Sequence, residues 1–312
     1  MGTGATVFGL DVRVDRSVPF LETARARPTG RTLEISLVDD AECLSWPRGA
    51  ELISDQRQPD GTVNFQIETS SEAGYKIWGP RYGVNVLSND GRRLRAAAGA
   101  GGMQAWQRLL IAQVLPFAAL LCDLEVLHAS AVVIDEGAVV FIGQSGAGKT
   151  SLALALCHRG ASFLTDDVLA LERVNGGLLG HPGTPVAGID LPEADRLRRL
   201  GGGGEQEVLS VDSREQVARV PIAAEPAPLS ALFFLDRRPD GPAQPRFEVV
   251  TSPQMLLATT FNFVLTTPER LSGLLDVCAL AARRRVERIV TGPETDASEL
   301  SAAVEQRLGS AT

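Results

Sequence analysis

The sequence predicts an α/β domain preceded by a smaller, mainly β module. Three observations carry that prediction. From Thr6 to about Arg95, apolar and polar residues alternate in short runs broken by turn residues, the period of half-buried strands. From about Glu125 onward such runs are interleaved with stretches at helical spacing. Between the two, residues 97–102 (Ala-Ala-Gly-Ala-Gly-Gly) read as a linker, which places the modules at 1–100 and 101–312. A chain of 312 residues suits two such units.

Each element has its own signal. Thr32–Val38, Val63–Ile67 and Tyr75–Trp78 alternate with period two, and Val84–Arg95 reads as a hairpin turning at Asn89–Gly91. Met103–Leu121 is apolar at helical spacing and is expected to pack on the module that follows. Val126–Ile134 and Ala138–Ile142 are expected strands joined by a tight turn over Asp135–Gly137. Ser151–Cys157 is an expected helix closed by Gly160. Ser162–Thr165, Val168–Glu172, Ser230–Leu235 and Val286–Val290 are further expected strands. Pro253–Asn262, Pro268–Ala282 and Ala297–Leu308 are expected helices, and Gly201–Gly204 marks a flexible loop. There is no internal repeat.

The run Gly143, Gln144, Ser145, Gly146, Ala147, Gly148, Lys149, Thr150 satisfies G-x-x-x-x-G-K-[ST] at every fixed position, and Ser151 follows it into the expected helix. A strand before and a helix after are the context that gives the pattern meaning. Glycines let several backbone N–H groups converge on phosphate oxygens, and the helix adds its positive end. Lys149 then reaches the β- and γ-phosphates, and the Thr150 hydroxyl is placed to ligate Mg²⁺. The expected ligands are therefore ATP and Mg²⁺.

Three residues flank the loop at informative spacings. His128 lies fifteen positions before Gly143; Asp166 and Asp167 lie seventeen and eighteen after Lys149. A strand and helix of these lengths can return the strand that precedes Asp166 beside the loop's own strand. The carboxylates would then emerge at the phosphate edge of the sheet. There an aspartate can hold Mg²⁺ or accept a proton from a hydroxyl. Taken alone, adjacent aspartates after a strand read as a solvated turn, and a lone strand histidine reads as packed core.

Bulk properties narrow the setting. Net charge is −8, which argues against a nucleic-acid surface. Hydrophobic residues make up 44% and charged ones 22%, as in ordinary soluble proteins. Cys43, Cys122, Cys157 and Cys278 are scattered, so neither a zinc site nor a disulfide framework is supported. No signal-peptide pattern opens the chain. Its longest apolar stretch, Leu109–Leu121, has thirteen residues and is too short to span a bilayer. The expectation is a cytoplasmic protein without a membrane or nucleic-acid partner.

From His128-Ala-Ser, through residues 143–151, to Arg159-Gly-Ala-Ser-Phe-Leu-Thr-Asp-Asp-Val168, the chain resembles the HPr kinase/phosphorylase family. The catalytic domain of that family is related in fold to phosphoenolpyruvate carboxykinase. The resemblance implies that Lys149 binds phosphate and that Thr150, with Asp166, serves the metal. It further implies that Asp167 takes the proton from a serine hydroxyl, with Asp166 supporting it and His128 lining the site. The chain departs from the family after the Asp-Asp pair. Residues 181–193 lack the segment that supplies a second acidic metal ligand, which leaves Asp190 or Glu193 for that role. Arg237 and Arg238, after an expected strand, read first as surface arginines in a turn; the alternative is that one of them offers a cation to transition-state phosphate charge. The first module is unlike the N-terminal domain of HPr kinases, so HPr is not the expected acceptor. The chain is more similar to the HPr-kinase-related proteins found beside peptide-modification genes, some of which phosphorylate serine in ribosomally made peptides.

Two classes of function follow. The leading one is an ATP-dependent kinase acting on a hydroxyl of a small protein, peptide or small molecule, with the first module selecting the acceptor; phosphoryl transfer to a metabolite or to phosphate itself is its enzymatic variant. The other is a regulatory module in which ATP occupancy switches a partner interaction. HPr kinases form hexamers, and nothing in this sequence locates the contacts of a homo-oligomer.

Overall fold

A sheet that must cover one apolar face needs a partner layer, and the first eight strands find theirs in the helix that follows them. The computed structural model describes residues 3–22, 24, 26–39, 44–192, 194, 207–212, 215–251, 254–257, 259–260 and 267–309. Strands β1 (Thr3–Val7), β2 (Leu10–Val14), β3 (Thr32–Leu37), β4 (Glu51–Arg57), β5 (Val63–Ser70), β6 (Gly74–Gly79), β7 (Gly83–Leu87) and β8 (Arg93–Ala98) form one sheet in the order β1-β2-β3-β8-β7-β6-β5-β4. Their inward positions, among them Ile35, Ile67, Ile77, Leu87 and Leu94, share one apolar core with Trp106, Leu110, Val114 and Phe117. Those four residues belong to helix α1 (Gly102–Leu109), a π-helical turn (Leu110–Val114) and helix α2 (Leu115–Leu121). Pro116 has no N–H to give to the preceding turn, and the helix widens there.

One expectation is widened at this point and another is corrected. The helix packs onto the module after it, with Leu124, Val126, Val168 and Ala170 in its core, and also back onto the sheet before it. Trp106 Nε1 donates to Asn85 Oδ1 at 2.9 Å, and Phe117 meets Tyr75 edge-on at 4.9 Å between ring centroids. The expected linker is a packed corner: residues 97–98 complete β8, and the glycines that follow permit close approach rather than looseness. A Cβ on Gly99 would sit 2.4 Å from the Gly83 nitrogen, and one on Gly101 would sit 2.5 Å from the Ala105 Cβ.

The remaining strands form a mixed sheet and a small separate one. The expected strand over Val126–Ile134 is two: β9 (Glu125–Leu127) pairs with β13 (Leu169–Val174), while β10 (Ala129–Ile134) pairs with β11 (Gly137–Ile142) and β12 (Ser162–Thr165). His128 sits at the break where the chain changes partners. The expected tight turn after β10 is present, carried by Asp135 and Glu136 at φ of +47° and +66°. The long strand β18 (Ala227–Arg237) lies parallel to β11 on one side. On its other side it meets β14 (Gly177–Gly180) and then β20 (Arg285–Thr291), which also pairs with β19 (Arg246–Val249). Strands β15 (Val186–Asp190), β16 (Val208–Val211) and β17 (Glu215–Arg219) make the third sheet, in the order β15-β17-β16.

Strands β14–β17 and β19 are short and escaped the period-two reading. The β13–β14 hairpin turns on Asn175 and Gly176, both at positive φ. Strand β12 pairs with β10, not with the loop's own strand β11, because β10 occupies that side of β11. Helix α3 (Lys149–His158) ends at Gly160, whose φ is +108°. Helices Pro268–Ala281 and Ala297–Gly309 fall where expected. In place of the helix expected over Pro253–Asn262, a short helix spans Gln254–Leu257, and Thr259–Thr260 lie outside it. Pro253, Asn262, Gly201–Gly204, Glu193 and Cys43 lie outside the described residues. Among the described residues no helix is long and apolar enough to cross a membrane. The architecture is mixed α/β, with several sheets.

Candidate phosphate-binding site

Strand β11 runs into the loop at Gly143, and helix α3 leaves it at Lys149. Gly146 and Gly148 take φ of +80° and +92°, left-handed values that a side chain would resist. The Lys149 side chain is buried. Its Nζ folds back over the loop, donating to the Gly143 carbonyl at 3.0 Å and the Gln144 carbonyl at 3.4 Å. The ammonium is thereby stored at the mouth of the loop, beside the start of a ten-residue helix.

Asp166 joins four elements. Its Oδ1 accepts from the Ser130 hydroxyl on β10 at 2.7 Å and from the Thr150 hydroxyl on α3 at 2.8 Å. Its Oδ2 accepts from the Gly188 N–H on β15 at 3.0 Å. Burial pushes this carboxyl up to about 6; the neighbouring charge of Asp167 adds to the rise, while the three donors hold it down. Asp167 is the next residue, at φ +58°. The Asp166 carbonyl accepts from the Val168 N–H at 2.7 Å, closing a three-residue turn of the rarer, positive-φ kind around Asp167. The Asp167 carbonyl is pinned by the Ala129 N–H at 3.1 Å. Its side chain reaches solvent at the cleft, yet the surrounding walls remove enough water to raise its carboxyl. Lys149 opposes that rise; Glu215 and Asp190 reinforce it.

His128 connects the two halves. Its Nδ1 lies 2.9 Å from the Asp167 carbonyl oxygen, and its Nε2 lies 3.5 Å from Lys149 Nζ. Partial burial, and then the Lys149 charge, lower its pKa, so the ring is neutral at pH 7. A carbonyl can only accept and an ammonium can only donate. The network therefore assigns the proton to Nδ1 and leaves Nε2 as the acceptor facing Lys149.

Two adjoining cavities open on the loop. The larger, about 840 Å³, is walled by Gly143–Ala147, Phe234, Met255, Thr259 and Arg288. The smaller, about 610 Å³, is walled by Gly148–Ser151, Asp167, Asp190 and Glu215. His128, Ser145, Gly146 and Arg237 line both. The structure thus brings together all the loop residues with His128, Asp166 and Asp167, and adds Asp190 from the end of β15. It also separates the two arginines. Arg237 leans over the loop, 3.9 Å from where a Cβ of Gly148 would be, and its Nη2 donates to the Pro293 and Thr295 carbonyls at 2.8 and 2.6 Å. Arg238 turns away into an ion pair with Asp236 at 2.6 Å. Glu215 was not foreseen, because no motif links it to the loop sixty-odd residues earlier in the chain; only the β15–β17 pairing brings it to the cleft.

No protein-family model matches the chain, and no curated protein does. Solved structures do match. One is the Hpr(Ser) kinase/phosphatase from Coxiella burnetii, 16% identical, the match covering 59% of this chain and 94% of that chain at a TM-score of 0.32. A likeness at that level carries no weight, and the site rests on its own geometry.

That geometry suits a hard cation held partly by phosphate. Thr150 and Asp166 offer oxygen donors side by side, and Mg²⁺ is ordinarily held by one or two carboxylates together with phosphate oxygens and water. Among the described residues no three His, Cys, Asp or Glu side chains converge as a closed metal cage. A cation here would depend on a bound phosphate to complete its shell.

Proposed function

We propose that this chain is an ATP- and Mg²⁺-dependent phosphotransferase that moves the γ-phosphate onto a hydroxyl, foremost a serine of a small protein or peptide. One observation carries the reading. Asp166 binds the Thr150 hydroxyl at the first turn of the phosphate-loop helix, while the adjacent Asp167 lines the same cavity as Lys149. A nucleotide-binding loop alone requires neither aspartate. In the proposed reaction Asp167 accepts the hydroxyl proton as the oxygen bonds to the γ-phosphorus, and the bond to the β–γ bridging oxygen breaks to release ADP. A carboxyl raised above the ordinary range is a stronger base than a solvated aspartate. Lys149 offsets charge on the β- and γ-phosphates, the loop N–H groups orient them, and His128 keeps the ammonium aimed through its Nε2. Mg²⁺, held by Thr150 and Asp166, would supply further charge neutralisation. Arg237 is the arginine placed to meet transferring phosphate charge.

The test uses γ-labelled ATP with Mg²⁺ and serine-containing peptides encoded near the gene. Label transfer lost in both Asp167→Asn and Lys149→Ala, with ATP binding lost only in Lys149→Ala, is the expected result. A general base contributes about 10²–10⁴-fold, so Asp167→Asn should lower transfer by that factor. Full-rate transfer in Asp167→Asn refutes the assignment of the base. Tight ATP binding without transfer to any acceptor, together with a nucleotide-dependent partner, would instead favour the switch.

A further inference from the structure

The wall of the smaller cavity is not anchored where the loop is. The β15-β17-β16 sheet turns Ala187, Ile189 and Ala218 toward Leu152 and Leu156 of α3. Its opposite face, Val186 and Val217, packs on Phe20 of the first module. The polar ties of that face also run to the first module. Arg219 Nη1 donates to the Pro19 and Glu22 carbonyls at 3.2 and 2.9 Å. Arg108, from α1, reaches the sheet with its whole guanidinium: Nη1 meets Glu215 Oε1 at 2.5 Å and Asp212 Oδ2 at 3.2 Å, and Nε and Nη2 donate to Ser210 Oγ at 3.3 Å.

Glu215 in turn lies over Gly188. A Cβ on Gly188 would stand 3.0 Å from Glu215 Oε2, tighter than ordinary contact, so the carboxylate occupies the space a side chain would take. Gly188 is the residue whose N–H is donated to Asp166 Oδ2. The path from the first module to the metal-binding carboxylate is therefore short: Arg108 to Glu215, Glu215 against Gly188, and Gly188 to Asp166.

We propose that Arg108 is a positioning residue for the phosphate site, holding Glu215 against Gly188 and so fixing the N–H that orients the Asp166 carboxylate toward Thr150. The proposal rests on the functional reading only for what the oriented carboxylate does; the orientation itself belongs to the fold. Without the guanidinium, Glu215 is a partly buried carboxylate that loses its ion-pair partner among the described residues, and it turns out toward the cleft. The Gly188 N–H then loses its backing, and Asp166 keeps only its two hydroxyl donors.

Two readouts on the full chain test this. The first is amide hydrogen exchange over Val186–Asp190 without nucleotide, for wild type, Arg108→Met, Arg108→Lys and Glu215→Gln. Exchange at Gly188 should quicken about tenfold or more in Arg108→Met. It should recover part of its protection in Arg108→Lys and stay unchanged over β18 throughout. The second is binding of a fluorescent ATP analogue with and without Mg²⁺. Supports behind a metal ligand are worth about 10–100-fold in metal affinity. Arg108→Met should therefore weaken the Mg²⁺ dependence of binding by that factor and leave Mg²⁺-free binding alone, whereas a generally damaged fold would weaken both. Should Arg108→Met not fold, Glu215→Gln breaks the same ion pair from the other side at equal size. Unchanged exchange at Gly188 in both variants overturns the proposal. Wild-type protein that binds no ATP overturns the functional reading instead, and Gly188 exchange still decides the role of Arg108.

Discussion

Replacing Asp166 by Asn should raise stability relative to wild type more at pH 7 than at pH 5, and should remove the carboxylate proposed to hold Mg²⁺. The folded carboxyl stands at about 6, against 3.8 for the ordinary group, because it is buried beside Asp167. A folded-state pKa raised above the unfolded value means that the protonated form is preferred in the fold. The associated stability is fully present below the unfolded pKa and is lost as pH rises through the folded one. With those two values, burying the Asp166 carboxyl costs about 3 kcal/mol at pH 7 and roughly half that at pH 5, where the folded group is mostly protonated. These are ceilings, since part of the rise belongs to the Asp167 charge. Asn removes the cost at both pH values. Its oxygen can still accept from the Ser130 and Thr150 hydroxyls, but its amide meets the Gly188 N–H donor to donor, a loss of about 1–3 kcal/mol. That loss does not vary with pH, so it cancels in the comparison. Urea denaturation in EDTA should show Asp166→Asn gaining about 1 kcal/mol more relative to wild type at pH 7 than at pH 5. Equal stability differences at the two pH values would refute the burial argument, and a variant that still needs Mg²⁺ for tight ATP binding would refute the metal assignment.

Two further outcomes follow from packing. Trp106→Phe shrinks a fully buried ring and strands the buried Asn85 Oδ1 that the indole N–H satisfies; the expected loss is at least about 1–3 kcal/mol by urea denaturation, and a loss below about 0.5 kcal/mol would mean that the hydrogen bond is dispensable. Burial pushes the Cys157 thiol up to about 12, and burial with the Glu125 charge beside it pushes Cys278 up to about 11. Both should resist iodoacetamide at pH 8 until urea opens the fold, as read by peptide mass spectrometry, and rapid labelling of either in the native protein would contradict the packing around it.

The parts of the fold legible in the sequence are those written within a few residues of one another. The phosphate loop announces itself because left-handed φ at Gly146 and Gly148 excludes nearly every other residue. The strand Ser162–Thr165 and the two late helices have clear periods and clear stops. Where the reading failed, two physical arrangements share one signal. An apolar helix such as Met103–Leu121 advertises a buried face without saying how many neighbours bury it, and here the earlier sheet shares that role with the module that follows. A run of small residues and glycines is equally the signature of a flexible tether and of backbones in close contact; at Gly99 and Gly101 it is the second. A nine-residue apolar run can be one strand or two, and only the choice of partners at β9 and β10 breaks it at His128.

The same distinction divides the site. Lys149, Thr150 and the aspartate pair were legible because a loop, a helix and one returning strand connect them, and spacing along that path is nearly fixed. Glu215 and Gly188 reach the cleft through pairing between β15 and β17, and Arg108 reaches Glu215 through the packing of α1, at sequence distances that no local rule constrains. Their chemistry is ordinary in the sequence: a glutamate, a glycine and an arginine among many. What distinguishes them is that each one's position is set by the next, so that the orientation of Asp166 is decided partly by a side chain that starts on the first module. On the proposed function, a partner bound to the first module would reach the phosphate site through Arg108 without touching it, and recognition of the proposed acceptor would be coupled to that of the nucleotide.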